Sequence, residues 1–167
     1  MGYEEHKEKS PRNVNCAVIT ISDSRTQDND ESGRLIKEKL SQNGHRIVYY
    51  SILKNEAGAI KKKIGELLSQ NEVQVVITSG GTGVSHRDIT VETLSPMLEK
   101  KLDGFGELFR LLSYQEIGTA SVMSRAMAGV AGGKVIISLP GSLGAVTLAM
   151  DKLILLEIGH MVREATR

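Results

Sequence analysis

Hydrophobic positions follow two rhythms along this chain. Short apolar runs at 14–21, 46–53, 73–78 and 134–139 read as strands, the first of them buried. Between them apolar residues recur at helical spacing. In 31–42, Leu35, Ile36 and Leu40 fall on one side, and Gly44 stands just past the end, where a C-terminal cap belongs. In 59–68, Ile60, Ile64, Leu67 and Leu68 form an apolar stripe. Further helical spacing covers 91–98, 104–115 and 121–128, and 143–165 reads as one long closing helix. Strands alternating with helices imply right-handed crossovers and a mostly parallel sheet covered on both faces. The expected fold class is therefore a three-layer α/β/α domain spanning 13–167. Residues 1–12 are polar and charged and are expected to form a flexible tail. The chain shows no internal repeat, low-complexity segment or linker.

Composition narrows the function classes. A chain of 167 residues is about one domain, and 40% hydrophobic with 25% charged residues is ordinary for a soluble protein. A net charge of +1 argues against a dedicated nucleic-acid binder, so an anionic substrate must be held by local donors. No apolar run reaches the roughly 18 residues that span a bilayer, and the N-terminus is too polar for a secretory signal. The cytoplasm is the expected compartment. The single cysteine, Cys16, excludes an internal disulfide and lies in an apolar run, so it reads as a buried, inert thiol.

In open α/β sheets ligands bind beyond the carboxyl ends of the strands. Three loops leave strand ends here, 22–25, 79–88 and 140–144, all rich in small and polar residues. The strongest signal is Ser79-Gly80-Gly81-Thr82-Gly83. Such a loop can cradle an anion with successive amide hydrogens, or it can be a tight turn that needs glycine for steric reasons. It is neither a Walker A sequence nor a dinucleotide fingerprint. Asp88 follows within His86-Arg87-Asp88-Ile89-Thr90. A carboxylate beside an anion cradle suggests magnesium between them; the alternative is a cap for a helix starting near Thr90. Arg87 could hold a phosphate or lie in solvent, and His86 reads as a surface residue. Pro140-Gly141-Ser142 could meet a phosphate at a helix N-terminus, or Ser142 could simply cap that helix. In Ser22-Asp23-Ser24-Arg25, turn and capping chemistry is a sufficient explanation.

Taken in order, these pieces resemble the MoaB/MogA family of molybdenum cofactor biosynthesis proteins, over nearly the whole chain. Ile21-Ser22-Asp23-Ser24-Arg25-Thr26 looks like the family's first-strand signature. The glycine loop followed by Arg87-Asp88-Ile89-Thr90-Val91-Glu92 looks like its central one. Residues 109–119, FRLLSYQEIGT, are close to the MoaB branch; Ser124-Arg125-Ala126 and Leu139-Pro140-Gly141-Ser142 complete the set.

The resemblance implies a homotrimer or a pair of trimers, and molybdopterin adenylyltransferase chemistry with Mg2+ and ATP. The terminal phosphate of molybdopterin attacks the α-phosphorus of ATP, pyrophosphate leaves, and the product passes to other enzymes of the pathway. On that pattern Asp88 serves metal and catalysis, with Asn55 and Glu56 beside it. Ser22, Asp23, Gly80, Gly81, Thr82, Gly83, Ser113, Ser124, Pro140, Gly141 and Ser142 contact the substrate. The match departs at Asn55, where many relatives carry aspartate, and at Gly144, where many carry lysine or asparagine. The alternative expectation is a catalytically silent molybdopterin-binding protein.

Overall fold

The computed structural model describes residue 2 and residues 8–167, so half of the expected tail, residues 1 and 3–7, lies outside the described residues. The chain forms one six-stranded sheet in the order β2-β1-β3-β6-β5-β4. Strands β1 (Asn15–Ile21), β2 (Arg46–Leu53), β3 (Val75–Ser79) and β6 (Lys134–Leu139) run parallel. At one side β5 (Met127–Ala131) runs antiparallel to β6, and the edge strand β4 (Lys100–Lys101) antiparallel to β5.

Both faces are covered, as continuous apolar strands require. Cys16 and Val18 of β1 face one layer; there they meet Ile36 and Leu40 of α1 (Glu31–Gln42) and Phe105 and Phe109 of α4 (Asp103–Ile117). The C-terminal helix, Leu143–Ala149 (α5) continuing to Leu155–Ala165 (α6), covers the same face through Val146, Ile158 and Val162. Ala17, Ile19 and Ile21 face the opposite layer, where Ile60, Ile64 and Leu67 of α2 (Ala57–Leu68) and Leu94 of α3 (Thr90–Leu94) pack. Cys16 is fully buried and its thiol is pushed up to about 12 by desolvation, so it stays protonated and inert.

Helix α1 ends as its sequence predicts. Gly44 has φ +82°, its N–H donates to the Ser41 carbonyl, and the His45 N–H donates to the Leu40 carbonyl. That is a Schellman closure, and it needs a left-handed residue at Gly44.

Two expectations need correction, and one strand carried no signal. Residues 121–128 are not a helix: a 3-10 turn at Gly118–Met123 gives way to β5. Gly132 and Gly133, both at positive φ, form a two-residue hairpin turn that returns β5 onto β6. That pairing outweighs the helical spacing upstream. Strand β4 is two exposed lysines long and carries no hydrophobic pattern to read. The closing helix is interrupted by a π-helical turn at Met150–Ile154.

Among the described residues, no helix is long and apolar enough to cross a membrane. Residues 10–11 lie against α6, where the absent Cβ of Gly159 leaves room for the Pro11 carbonyl.

Candidate functional site

Parallel register brings the strand ends level: Ile21 opposite Leu53, Thr20 opposite Ser79, Ser79 opposite Leu139. The three loops therefore leave the sheet at one edge. The glycines of 80–83 answer to steric demands from the protein itself. Gly80 has φ +99°, and a Cβ there would stand 2.2 Å from the Ile21 carbonyl oxygen. Gly81 has φ +68°, and its Cβ would fall 2.1 Å from Thr90 Oγ1. At Gly83 a Cβ would meet Asp88 Oδ2 at 2.6 Å. The loop is also tied down from behind. Thr90 donates its N–H to the Gly81 carbonyl (2.9 Å) and its hydroxyl to the Gly80 carbonyl (2.9 Å).

Over this loop lies a cleft of about 400 Å³. Gly80, Gly81, Thr82, Gly83, Asp88, Ser113, Ser124, Pro140, Gly141 and Ser142 all line it, with Phe109 and Ile117 among its apolar walls. Gly141 comes within 3.4 Å of Gly80, measured from its ideal Cβ, so the second loop rests on the first. Ser142 caps α5, its hydroxyl accepting the Ala145 N–H at 3.3 Å. Capping orients that helix N-terminus, and its free amides, at the cleft.

Asp88 faces the loop rather than the helix that follows. Its Oδ2 accepts the Ser85 N–H (3.0 Å) and the Ser85 hydroxyl (2.6 Å). The residue before α3 is Ile89, and no side chain caps that helix, so the capping alternative fails. The hydrogen bonds from Ser85 hold the Asp88 carboxyl below its ordinary value of 3.8, with the Gly83 amide adding to the effect. Asp88 is a fixed negative charge at neutral pH.

Ser22, Asp23, Asn55 and Glu56 do not line the cleft. They lie on the other flank of the glycine loop, at the head of α2. Ser22 Oγ accepts the N–H groups of Ser24 (3.3 Å) and Arg25 (3.2 Å), which is turn chemistry. Asp23 accepts the Asn55 N–H at 3.0 Å and stands 3.8 Å from exposed Arg87. Asn55 Oδ1 is buried without a hydrogen-bond partner, pressed against Gly81 (2.7 Å from its ideal Cβ). Glu56 is exposed and makes no cap bond.

Two groups escaped the sequence reading. Arg125 clamps the glycine loop, donating Nε to the Thr82 carbonyl (3.1 Å) and Nη2 to the Gly83 carbonyl (2.5 Å). Its other face binds Glu92, whose carboxyl it holds down. Nothing local in Ser124-Arg125-Ala126 reveals a contact across 42 residues. The second is Asp30, the N-cap of α1, which an Asp immediately before a helix could have signalled. Buried Asp30 accepts the Gly33 N–H (3.0 Å), the Thr20 hydroxyl (2.6 Å) and the Tyr50 hydroxyl (2.6 Å). Burial and Asp30 raise the Tyr50 phenol, which stays a donor. This fixes the start of α1, from which Ser32 donates to the Gly141 carbonyl at 2.6 Å.

Comparison with known proteins is consistent across sequence and structure. Residues 17–160 match a family model described as a probable molybdopterin binding domain. The chain is 46% identical to Molybdenum cofactor biosynthesis protein B of Bacillus cereus, covering 100% of this chain and 99% of that one. Identity to the protein of the same name from Bacillus subtilis is 47%, over 98% and 97%. A crystal structure of Molybdenum cofactor biosynthesis protein B superposes with TM-score 0.90 at 46% identity, over 94% of this chain and 98% of that one. The tungsten cofactor synthesizing protein MoaB of Pyrococcus furiosus gives 0.85 at 38%, over 95% and 100%.

Proposed function

Because the chain belongs to the family of probable molybdopterin-binding domains, we propose that it acts in molybdenum cofactor biosynthesis, binding molybdopterin in the cleft over the glycine loop and adenylating its terminal phosphate with ATP. The observation that carries this reading is the convergence of Gly80–Gly83, Asp88, Ser113, Ser124 and the 140–142 turn on one cleft. The amides at the head of α5 and the hydroxyls of Thr82, Ser113 and Ser124 suit an anionic, hydrogen-bonding substrate. Apolar Phe109 and Ile117 suit a flat ring. The phosphate oxygen attacks the α-phosphorus of ATP and pyrophosphate leaves, a transfer that asks the protein for positioning and charge neutralisation rather than covalent help.

Asp88, on the cleft side of the loop, fits a magnesium ion carried on phosphates. One carboxylate is a thin donor set, which suits an ion that brings phosphate oxygens as its other ligands; the Asn55 oxygen lies buried behind the loop. Bound there, the ion would neutralise phosphate charge. The chain's own part is to hold Asp88 ionised through Ser85 and to keep the loop rigid through Thr90 and Arg125.

Incubation with molybdopterin, ATP and magnesium, followed by detection of adenylyl-molybdopterin, tests the reading. Binding of molybdopterin with no adenylylated product would favour a silent binding protein, the reading that the uncharged Asn55 supports. We also propose a homotrimer, alone or paired. Leu108, Leu111, Tyr114, Ile117, Val122 and Met123 are all more than half exposed along α4 and the turn after it, an apolar face that association would bury. Sedimentation at micromolar concentration showing only monomer would reject it.

A further inference from the structure

A second pocket, of about 280 Å³, opens on the same sheet edge one strand away from the cleft. It lies between the head of α4, the turn after α3 and the start of β5, whose Met127 pairs with Ser138 beside the glycine-loop strand. Lys101, Arg110 and Arg125 line it, with Ser124 shared with the cleft and Asp103 as its one lining carboxylate.

Its centre is Arg110. Gly106, one turn earlier on α4, has no room for a side chain: a Cβ there would stand 2.9 Å from Arg110 Nη1 and 2.8 Å from the Ala126 carbonyl oxygen. A glycine inside a helix is less favourable than alanine, and here it cuts the notch in which the guanidinium lies. Arg110 is only partly exposed, yet it makes no hydrogen bond and no ion pair among the described residues. Arg125, by contrast, is committed to Glu92 and to two carbonyls. Lys101 stands on the edge strand with no carboxylate partner of its own. A seated, unpaired guanidinium with an unpaired ammonium on the same pocket wall outweighs Asp103 and lacks only its anion.

We infer that this pocket binds a small phosphate polyanion, of the size and charge of pyrophosphate, with Arg110 as its principal ligand and Lys101 as its second. A pocket of about 280 Å³ has room for one such group. The inference does not depend on what occupies the cleft, and its test uses neither molybdopterin nor ATP.

Inorganic pyrophosphate titrated into the protein calorimetrically, without magnesium, is expected to bind once per chain, and inorganic phosphate more weakly. Arg110→Met, which keeps the apolar stem, weakens pyrophosphate about ten-fold or more, the usual loss for a charged hydrogen-bond donor. Arg110→Lys recovers part of the affinity, and Lys101→Met costs less than Arg110→Met. Ser142→Ala, in the cleft, binds pyrophosphate like the parent. Circular dichroism melts confirm folding; if Arg110→Met does not fold, Lys101→Met and Arg110→Lys carry the test. Absence of binding to the parent at millimolar pyrophosphate, parent-like affinity in the Arg110 and Lys101 variants, or an equal loss in Ser142→Ala would each overturn the assignment.

Discussion

The two flanks of the glycine loop are built differently. On the side of α4 and α5, side chains and helix amides leave an open cleft, and the supporting bonds are made from outside it, by Thr90, Arg125 and Ser32. On the side of α2, Asp23 and Asn55 bond each other and Asn55 presses on Gly81, so the surface of the loop is filled there; the pocket at the head of α2 is lined by none of residues 79–88. The open flank can receive a ligand without rearrangement, whereas the filled flank can act on one only through the loop or through the orphaned Asn55 oxygen. Asp88 belongs to the open flank and carries a charge; Asn55 belongs to the filled flank and does not.

The sharpest way to break this contrast is Asp88→Ala. Turnover in the adenylation assay should fall by about 10²-fold or more, the usual loss for one electrostatic stabiliser, while molybdopterin binding by fluorescence or calorimetry stays within a few-fold. Equal rates for parent and variant, both above background, would reject a catalytic role for Asp88.

Next in size is the backbone between the flanks. Gly80→Ala places a methyl group against the Ile21 carbonyl at positive φ, and should cost about 2 kcal/mol or more in urea unfolding. A parent-like midpoint would mean that the loop can move away from β1. Removing the clamp is gentler. Arg125→Met should cost about 1–2 kcal/mol, discounted because the side chain is 30% exposed, and should speed amide exchange at residues 82–84. Unchanged exchange there would separate Arg125 from loop rigidity.

The filled flank gives smaller effects. Asn55→Asp supplies a charge beside the loop and should raise the adenylation rate several-fold. Glu56→Ala should leave it unchanged, since Glu56 is exposed at the head of α2. The reverse order would transfer the metal role to Glu56.

The smallest effect lies far from both flanks and serves as a control. Buried His45 accepts the Val14 N–H through Nδ1 at 3.2 Å, and burial lowers it from its ordinary 6.5. The unfolded chain therefore takes up a proton first as pH falls. Stability from this group is fully present above pH 6.5 and declines below it, toward the lowered folded value. His45→Gln should flatten that part of the stability profile without changing molybdopterin binding.

Much of this was legible in one dimension because it rests on local or periodic causes. The aliphatic runs of β1, β3 and β6 had to be strands buried on two faces, the stripes on α1 and α2 had to face them, and Gly44 had to close α1. The loops that follow β1, β3 and β6 had to meet at one edge once those strands were parallel. Residues 80–83 and 140–142 could be placed at that edge because they follow strand ends, where a parallel sheet leaves backbone amides free; Ser113 and Ser124 follow none and were named only through the family resemblance. Other features depend on pairings that spacing does not encode. β5 is a strand because β6 is there to receive it, although its residues also suit a helix. Arg125 became the clamp of a loop 42 residues earlier, and Asp30 met Thr20 and Tyr50, only when the fold brought distant polar groups within hydrogen-bond reach of one another. Asp88 turned toward Ser85 rather than α3 for the same reason: the chain fixes which groups must be satisfied, and tertiary structure decides by what.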